Sequence, residues 1–316
     1  MLSKATLTVV DVLTTGREAT VAELTNATEF SKPHLYEVVD ELIGDGLLIE
    51  RRGPNNQRYV RVTDHPVIEA YRTLHSELGH VAWADLLSPA TLRVCWFLDE
   101  ARRVADIADR LDVTRQSVHN SLDPLKNRAM LSPSGPAYAL SEDLEPLLLF
   151  ARAVVRHEHR SRARAVAPSA TVEWCDPSRA LIRVQTREDT AALTDDTNWR
   201  MTGLGPFEEY GLQFFLAGEP AFWYGPEERL SAAELVCHTL VLDSGSRRVS
   251  YAMLLIEKER IGQEQLMRIA EWYDLETAVS EMYRRLEQET DSSEETSIIL
   301  PSDAEFAALK DQYGVQ

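Results

Sequence analysis

The segment from residue 21 to residue 62 constrains the fold more than any other part of the chain. It reads in order as a short helix, a turn, a longer amphipathic helix and a basic hairpin. Thr20 and Glu23 have the spacing of a capping box at the start of the first helix. Ser31, followed closely by Pro33, marks the start of the second helix. This order predicts a small module of helices and strands in which the second helix and the hairpin carry the exposed polar groups.

The second helix, over residues 31–43, divides into an apolar stripe and a polar face. Leu35, Val38, Val39 and Leu42 recur at the spacing of a buried stripe. Polar side chains near the helix N-terminus, with the N–H groups of the first turn, suit phosphates and base edges of DNA. The pattern therefore predicts a recognition helix, and the segment a winged helix-turn-helix. The candidate DNA contacts of this helix are Ser31, Lys32, His34 and Tyr36.

The hairpin that follows is basic in a chain that is otherwise acidic. Residues 51–63 contain four arginines and no acidic residue around a Gly-Pro-Asn-Asn turn. A wing tip that contacts phosphates or the minor groove accounts for such a cluster. Two alternatives remain: the arginines balance nearby acids such as Glu41, Asp45 and Glu50, or the module contacts protein or RNA. The candidate DNA contacts of the hairpin are Arg51, Arg52, Asn55, Asn56, Gln57 and Arg58.

A weaker copy of the same order is predicted over residues 88–141. Thr114 precedes a predicted helix that starts at Arg115, and arginine and glutamine suit guanine and adenine edges respectively. Against DNA contact, Pro124 should kink or end the helix, and residues 131–140 contain no arginine. The copy therefore either extends a DNA footprint or serves dimerisation or packing. Its candidate DNA contacts are Thr114, Arg115, Gln116, His119 and Asn120.

The rest of the chain completes a predicted α+β architecture of tandem winged helix-turn-helix domains followed by a C-terminal α+β domain. Short strands, including one over residues 210–216, are predicted to precede a bundle of three or four helices over residues 231–288. The predicted divisions are a first winged helix at 1–65, a linker helix at 66–87, a second winged helix at 88–141, a helix and basic linker at 142–168, a sensor or partner domain at 169–288, and an acidic linker with a short terminal helix at 289–316.

The charge is unevenly distributed between the two halves of the chain. The formal net charge is −18, yet residues 1–168 carry 20 basic against 23 acidic residues, whereas residues 169–316 carry 13 against 28. Only 5 of the 33 basic residues are lysine, a composition that resembles cytosolic proteins of extreme halophiles. At molar salt the Debye length falls to about 3 Å, so surface acids repel DNA only at short range. An acidic protein of a mesophile is the alternative.

Composition and motifs exclude several classes of protein. No apolar run approaches the roughly 20 residues of a membrane helix, and no signal peptide is recognised, which predicts a cytoplasmic protein without a membrane partner. Three widely separated cysteines argue against structural zinc and a disulfide framework. Phosphate-binding, nucleophile-elbow and metalloprotease motifs are absent. The sequence thus predicts no catalytic residues, no metal and no cofactor; it predicts double-stranded DNA as the partner, with a homodimer as a further expectation.

Residues 21–52 and 104–125 resemble archaeal winged-helix regulators of the ArsR/MarR type, especially those of halophilic archaea. The resemblance covers about 120 residues and implies a sequence-specific DNA-binding transcriptional regulator. Metal-sensing members carry a cysteine or histidine cluster on a helix. Because the first predicted module contains no cysteine, the resemblance implies no metal sensing here.

Three C-terminal stretches, residues 201–216, 224–243 and 261–286, resemble the C-terminal domain of AbiEi-type antitoxins. In that family an N-terminal winged helix binds DNA and the C-terminal domain opposes a nucleotidyltransferase toxin. The resemblance implies an alternative function: an antitoxin or adaptor that contacts a protein partner through residues 169–288 and binds DNA for autoregulation.

Overall fold

The computed structural model describes residues 2–14, 18–214, 219–227, 229–287 and 298–315. The fold mixes helices with three small antiparallel sheets, which is compatible with the predicted α+β class. The chain divides into two compact units. The first unit contains residues 1–161 and 176–178, and the second contains residues 162–175 and 179–316.

The first unit opens with three helices and a three-stranded sheet. Helix α3 and the hairpin β2–β3, here called the first hairpin, correspond to the predicted recognition helix and wing. Antiparallel pairing gives the strand order β1-β3-β2, with Leu48 opposite Val62 and Arg52 opposite Arg58. The elements are α1 (Lys4–Thr14), β1 (Ala19–Thr20), α2 (Val21–Ala27), α3 (Lys32–Gly44), β2 (Leu48–Arg52) and β3 (Arg58–Val62).

The same order of elements occurs a second time after two connecting helices. The second set again gives a helix, a two-residue strand, two helices and a hairpin, and its sheet has the equivalent strand order β4-β6-β5. We call β5–β6 the second hairpin. The elements are α4 (Pro66–Glu77), α5 (Trp83–Leu86), α6 (Pro89–Cys95), β4 (Arg102–Arg103), α7 (Val104–Leu111), α8 (Arg115–Lys126), β5 (Leu131–Ser134) and β6 (Ala137–Leu140).

Side-chain caps fix the starts of several of these helices. Thr20 and Glu23 form the predicted capping box of α2, and Thr114 accepts a hydrogen bond from the N–H of Ser117 at the start of α8. Ser31 occupies the N-cap position of α3, but its side chain makes no capping hydrogen bond, contrary to its predicted role as a cap. Pro124 lies inside α8, which ends two residues later, at Lys126. The caps therefore explain where α2 and α8 begin.

A long helix, α9 (Glu145–Val166), corrects the predicted linker. The basic stretch after Arg156, predicted as a linker, is helical throughout. Its buried positions Ala151, Val155, His159 and Ala163 recur every four residues, so one buried stripe runs through the basic region. His159 is only 1% exposed and its Nε2 lies 2.8 Å from the backbone oxygen of Asp176.

A shared hydrophobic core joins the parts of the first unit. The core includes residues from α1 to α6, together with Leu125 of α8 and Leu147, Phe150 and Val154 of α9. Phe150 is fully buried, with its ring 5.2 Å from that of Tyr71 in an edge-to-face contact. Helix α9 therefore completes the core beneath the first set of elements.

The second unit contains a four-stranded antiparallel sheet with the order β7-β8-β10-β9. Three or four helices were predicted over residues 231–288, and the structure contains four there, α11 to α14. Helix α10 and strand β9 were not predicted. The elements are β7 (Thr171–Cys175), β8 (Ala180–Arg183), α10 (Arg187–Asp195), β9 (Trp199–Thr202), β10 (Ala221–Tyr224), α11 (Ala232–Leu242), α12 (Ser246–Glu259), α13 (Gln263–Ala270), α14 (Glu276–Leu286) and α15 (Asp303–Tyr313).

The strand predicted over residues 210–216 is wrong as far as the chain is described there. Residues 205–210 form a 3₁₀ turn that Gly211 ends with a φ of 70°, a left-handed conformation that glycine adopts without strain. Residues 215–218 lie outside the described part. The next strand along the chain, β10, lies in the sheet between β8 and β9.

The terminal helix is confirmed as α15, with Ser302 and Glu305 as its capping box. Residues 288–297, most of the predicted acidic linker, lie outside the described part of the chain. Among the helices that are described, none combines the length and the apolarity that a membrane crossing requires.

His65, which lies beside His157 in the first unit, should make the stability of the fold depend on pH. Burial, followed by the proximity of His157 and Arg160, lowers the pKa of His65 from 6.5 to about 4. Its ring lies 4.6 Å from that of His157. Because only the unfolded chain binds a proton at this site between those pH values, the free energy of unfolding falls as the pH drops from 6.5 to 4.

Replacing His65 with Asn, which keeps a capping side chain for α4, should reduce this pH-dependent loss by about 1 to 2 kcal/mol after allowance for solvent screening. Urea unfolding at a series of pH values measures it. The matched control is His80→Asn, at an exposed histidine. An unchanged pH slope in the His65 variant would show that this histidine does not carry the effect.

Candidate functional site

The N-terminal half of α3 presents the predicted polar face to solvent. Ser31, Lys32, His34 and Tyr36 are all exposed, while Leu35 on the opposite side is fully buried. His34 lies 3.7 Å from a carboxylate oxygen of Glu37 and packs edge-to-face on Phe30. Tyr36 is 40% exposed, which is high for a large aromatic side chain. The helix therefore offers a mixed donor and aromatic surface at its N-terminal end.

The first hairpin does not carry four unopposed arginines, which corrects the sequence-based argument. Arg51 forms an ion pair with Glu18. Arg58 forms ion pairs with Asp40 of α3, at 2.5 Å, and with Glu50 of β2. Of the acids considered as balancing partners from the sequence, only Glu50 pairs with one of these arginines.

The titration of these groups reflects the pairing. The hydrogen bond from Arg51 lowers the pKa of Glu18. Burial of Arg58 opposes its charge, but the hydrogen bonds to Asp40 and Glu50 outweigh burial and raise its pKa. Arg58 thus links the first hairpin to α3 through ion pairs, and its charge is already neutralised within the protein.

Strand alternation explains why Arg58 faces the protein. Side chains two residues apart in a strand share a face, so Arg58 lies on the same face of β3 as the buried Val60 and Val62. Arg61 lies on the opposite face and is exposed, and it forms no ion pair with a carboxylate among the described residues, although its charge contributes to the lowered pKa of Glu18. The alternation of side chains along β3 can be read from the sequence. It predicts that Arg58 and Arg61 lie on opposite faces of the strand.

At the tip of the first hairpin, residues 54–56 form a 3₁₀ turn. Arg52 is exposed and donates to the backbone oxygen of Asn56 at 3.3 Å. Asn56 and Gln57 are exposed, and the side chain of Asn55 lies outside the described part. The tip therefore keeps Arg52 and two amides at the surface.

We expect Arg58→Ala to lower the free energy of unfolding by about 1 kcal/mol, because it removes both ion pairs while the exposure of Asp40 keeps their contribution small. The matched control in the same strand is Arg61→Ala, which should change stability little. Urea unfolding of both variants at low and at molar salt measures this, since salt screens the Arg58 effect. Equal stability of the two variants at low salt would contradict the conclusion that the ion pairs of Arg58 stabilise the fold.

Helix α8 presents a second set of polar side chains. Thr114, Arg115, Gln116 and Asn120 are exposed and His119 is half-buried. Gln116 donates to Asn120 at 2.8 Å, and the Nδ1 of His119 lies 3.3 Å from the Lys126 ammonium. No carboxylate pairs with Arg115 among the described residues.

The exposed cations of the first unit therefore differ from those expected. Among the described residues, four cations lie at the surface without an ion-pair partner: Lys32, Arg52, Arg61 and Arg115. Arg51 and Arg58 instead form ion pairs within the protein. The predicted residues fall into two sets, one on α3 with the first hairpin and one on α8.

Trp223, Cys237 and Tyr273 belong to the core of the second unit. Cys237 and His238 are fully buried on α11. The His238 ring lies 2.7 Å from the Thr202 hydroxyl through Nδ1 and 2.9 Å from the Tyr273 hydroxyl through Nε2. Trp223 is 1% exposed and stacks on Trp174. Within the described ranges, no cluster of three or more histidine, cysteine or carboxylate side chains is arranged to hold a metal ion.

Comparison with known proteins gives a match to the C-terminal part of the chain. No curated protein matches the sequence significantly. A family model described as HVO_2833_C, C-terminal, which represents a haloarchaeal protein family, matches residues 196–315. The match includes α11 to α15 with β9 and β10, but less than half of the 316 residues. Over residues 196–315, the chain is similar to the C-terminal domain of this haloarchaeal family.

Proposed function

We propose that the protein is a DNA-binding transcriptional regulator whose first unit contains two winged helix-turn-helix modules. The observation that carries the proposal is the repeated element order, with equivalent strand orders β1-β3-β2 and β4-β6-β5. In each set the second of two consecutive helices presents polar side chains at its N-terminal end, which is the part of a recognition helix that contacts bases.

The proposed contacts follow the exposed groups. Lys32, His34 and Tyr36 of α3 contact one major groove, and Arg52 and Arg61 of the first hairpin contact the neighbouring backbone. Arg115, with the Gln116 and Asn120 pair of α8, extends the footprint. The near-neutral charge of residues 1–168 supports a DNA-contacting role for this part of an acidic chain.

The second unit then serves as a sensor or partner domain. A cytoplasmic homodimer of such a regulator would bind a pseudo-palindrome with half-sites about one helical turn apart. A second copy of this chain and duplex DNA are the proposed partners.

A gel-shift titration with the DNA upstream of the chain's own coding sequence tests the proposal, with a shuffled duplex of the same composition as control. We expect a discrete complex with the upstream DNA at a concentration where the shuffled duplex stays free. Equal retardation of both duplexes, or of neither, would overturn site-specific recognition. Co-purification of the full chain with a stoichiometric protein partner would then favour the alternative, an adaptor acting through residues 169–288.

A further inference from the structure

A cavity of about 360 Å³ lies in the second unit, between the ends of β9 and β10 and the first turn of α12. Its volume falls within the range of small-molecule sites in proteins, about 300 to 1,000 Å³. All the described residues that line it lie within the region matched by the haloarchaeal family model. The cavity shares no residue with the proposed DNA contacts.

One wall of the cavity is apolar. It contains Met201, Leu204, Pro220, Ala221 and Leu242. Met201 is 42% exposed, although most large apolar side chains of this unit are buried. A Cβ on Gly203, whose φ is 66°, would lie 2.9 Å from the Leu242 side chain, so glycine lets the backbone approach this wall closely.

The rest of the lining includes two arginines and two acids, and both acids have a basic partner. Asp243 forms an ion pair with Arg248 at 3.1 Å and accepts from the N–H of Gly245 at 2.8 Å. Glu219 lies 3.9 Å from Arg183. Arg247 is exposed, and the described part of the chain offers it no carboxylate. The lining of a cavity of ligand size therefore combines apolar side chains with a guanidinium that no described carboxylate neutralises.

Neighbouring groups hold this guanidinium in place. Arg247 donates from Nε to the Tyr251 hydroxyl at 3.0 Å, a hydrogen bond that raises the pKa of Arg247. The Tyr251 ring in turn stacks on Phe214, with ring centroids 3.8 Å apart. The remaining N–H groups of Arg247 keep the fork geometry that pairs with a carboxylate. The N-terminus of α12, capped by Gly245 without a side chain, adds positive potential close to Arg247 in the same helix.

We propose that this cavity binds a small organic carboxylate, with its carboxylate on Arg247 and its apolar body against Met201 and Leu242. A neutral apolar molecule would leave the guanidinium without a counter-charge, and an inorganic anion would leave the apolar wall uncovered. The proposal is independent of DNA binding, since it concerns only residues of the second unit.

Isothermal titration of the full chain with sodium benzoate at constant ionic strength tests the proposal. Benzamide, the neutral isostere, and inorganic phosphate are the comparison probes. We expect saturable benzoate binding, with benzamide and phosphate each at least about tenfold weaker. Binding of either comparison probe as tight as that of benzoate, or no saturable benzoate binding up to its solubility limit, would overturn the proposal.

The variant Arg247→Ala locates the site. It should weaken benzoate binding by at least about tenfold without changing the far-ultraviolet circular dichroism, because the side chain is exposed. Arg268→Ala, at an exposed arginine of α13 outside the cavity, is the matched control and should bind benzoate as the wild type does. Unchanged benzoate binding by the Arg247 variant would place the ligand elsewhere.

Discussion

Replacing Arg115 with alanine is expected to weaken binding of the full chain to its own upstream DNA by about 5- to 150-fold, the effect of removing one good base contact of 1 to 3 kcal/mol. Arg115 is the first residue of α8, exposed and without a carboxylate partner among the described residues. Its guanidinium therefore reaches DNA without first breaking an ion pair. Fluorescence anisotropy with labelled duplex at fixed salt measures the change.

The matched control is Arg268→Ala, which removes the same charge from an exposed position of the second unit. This control separates a local contact from a general loss of positive charge. If both variants lose affinity equally, Arg115 acts only through net charge. If neither does, α8 does not contact DNA and the second set of elements is a packing or dimerisation copy.

Phe150→Ala is expected to lower the free energy of unfolding by about 3 to 5 kcal/mol, the cost of a large cavity in a core. Phe150 is fully buried on α9 and packs on Tyr71 of α4. Because the core of the first unit also includes residues of α1 to α6, the loss should affect the fold that positions α3. Urea unfolding followed by circular dichroism measures it.

The adjacent residue provides the control for this prediction. Leu149 is 48% exposed on the same helix, so Leu149→Ala removes an apolar side chain of similar chemistry without creating a cavity. It should change stability little. A loss of less than about 1 kcal/mol in the Phe150 variant would contradict the role of α9 in a shared core.

Local sequence signals predicted much of the fold. The capping box at Thr20 and the helical periodicity of residues 231–288 depend on neighbours a few positions away, so α2 and the helices found as α11 to α14 were predictable. The order of elements in residues 21–62 was predictable for the same reason.

Ion pairs between distant residues were not predictable. Arg51 pairs with Glu18, 33 positions away, and Arg58 with Asp40, 18 positions away. Both pairs depend on how β2 and β3 lie beside other elements. The basic composition of the hairpin therefore overstated the charge available to a ligand, although alternation along β3 did indicate which face Arg58 occupies.

Composition also misled the prediction for the end of α9. The three arginines between positions 157 and 164 suggested a linker, but arginine is a good helix former and its long side chain leaves the charge in solvent. The helix continues through the basic region because one of its faces stays buried, at Ala151, Val155, His159 and Ala163. A histidine as a buried stripe position is uncommon, which hid the periodicity.

The central claim is that exposed cations of α3 and α8 contact the phosphates and bases of duplex DNA. Its most direct test is the salt dependence of binding to the upstream duplex, compared between the wild type and the double variant Lys32→Ala/Arg115→Ala. When a protein cation no longer neutralises a DNA phosphate, binding releases about one counterion fewer. We predict weaker binding by the double variant and a shallower plot of log affinity against log salt, by about one for each of the two cations that neutralises a phosphate. Equal affinities and slopes for the two proteins would contradict the claim.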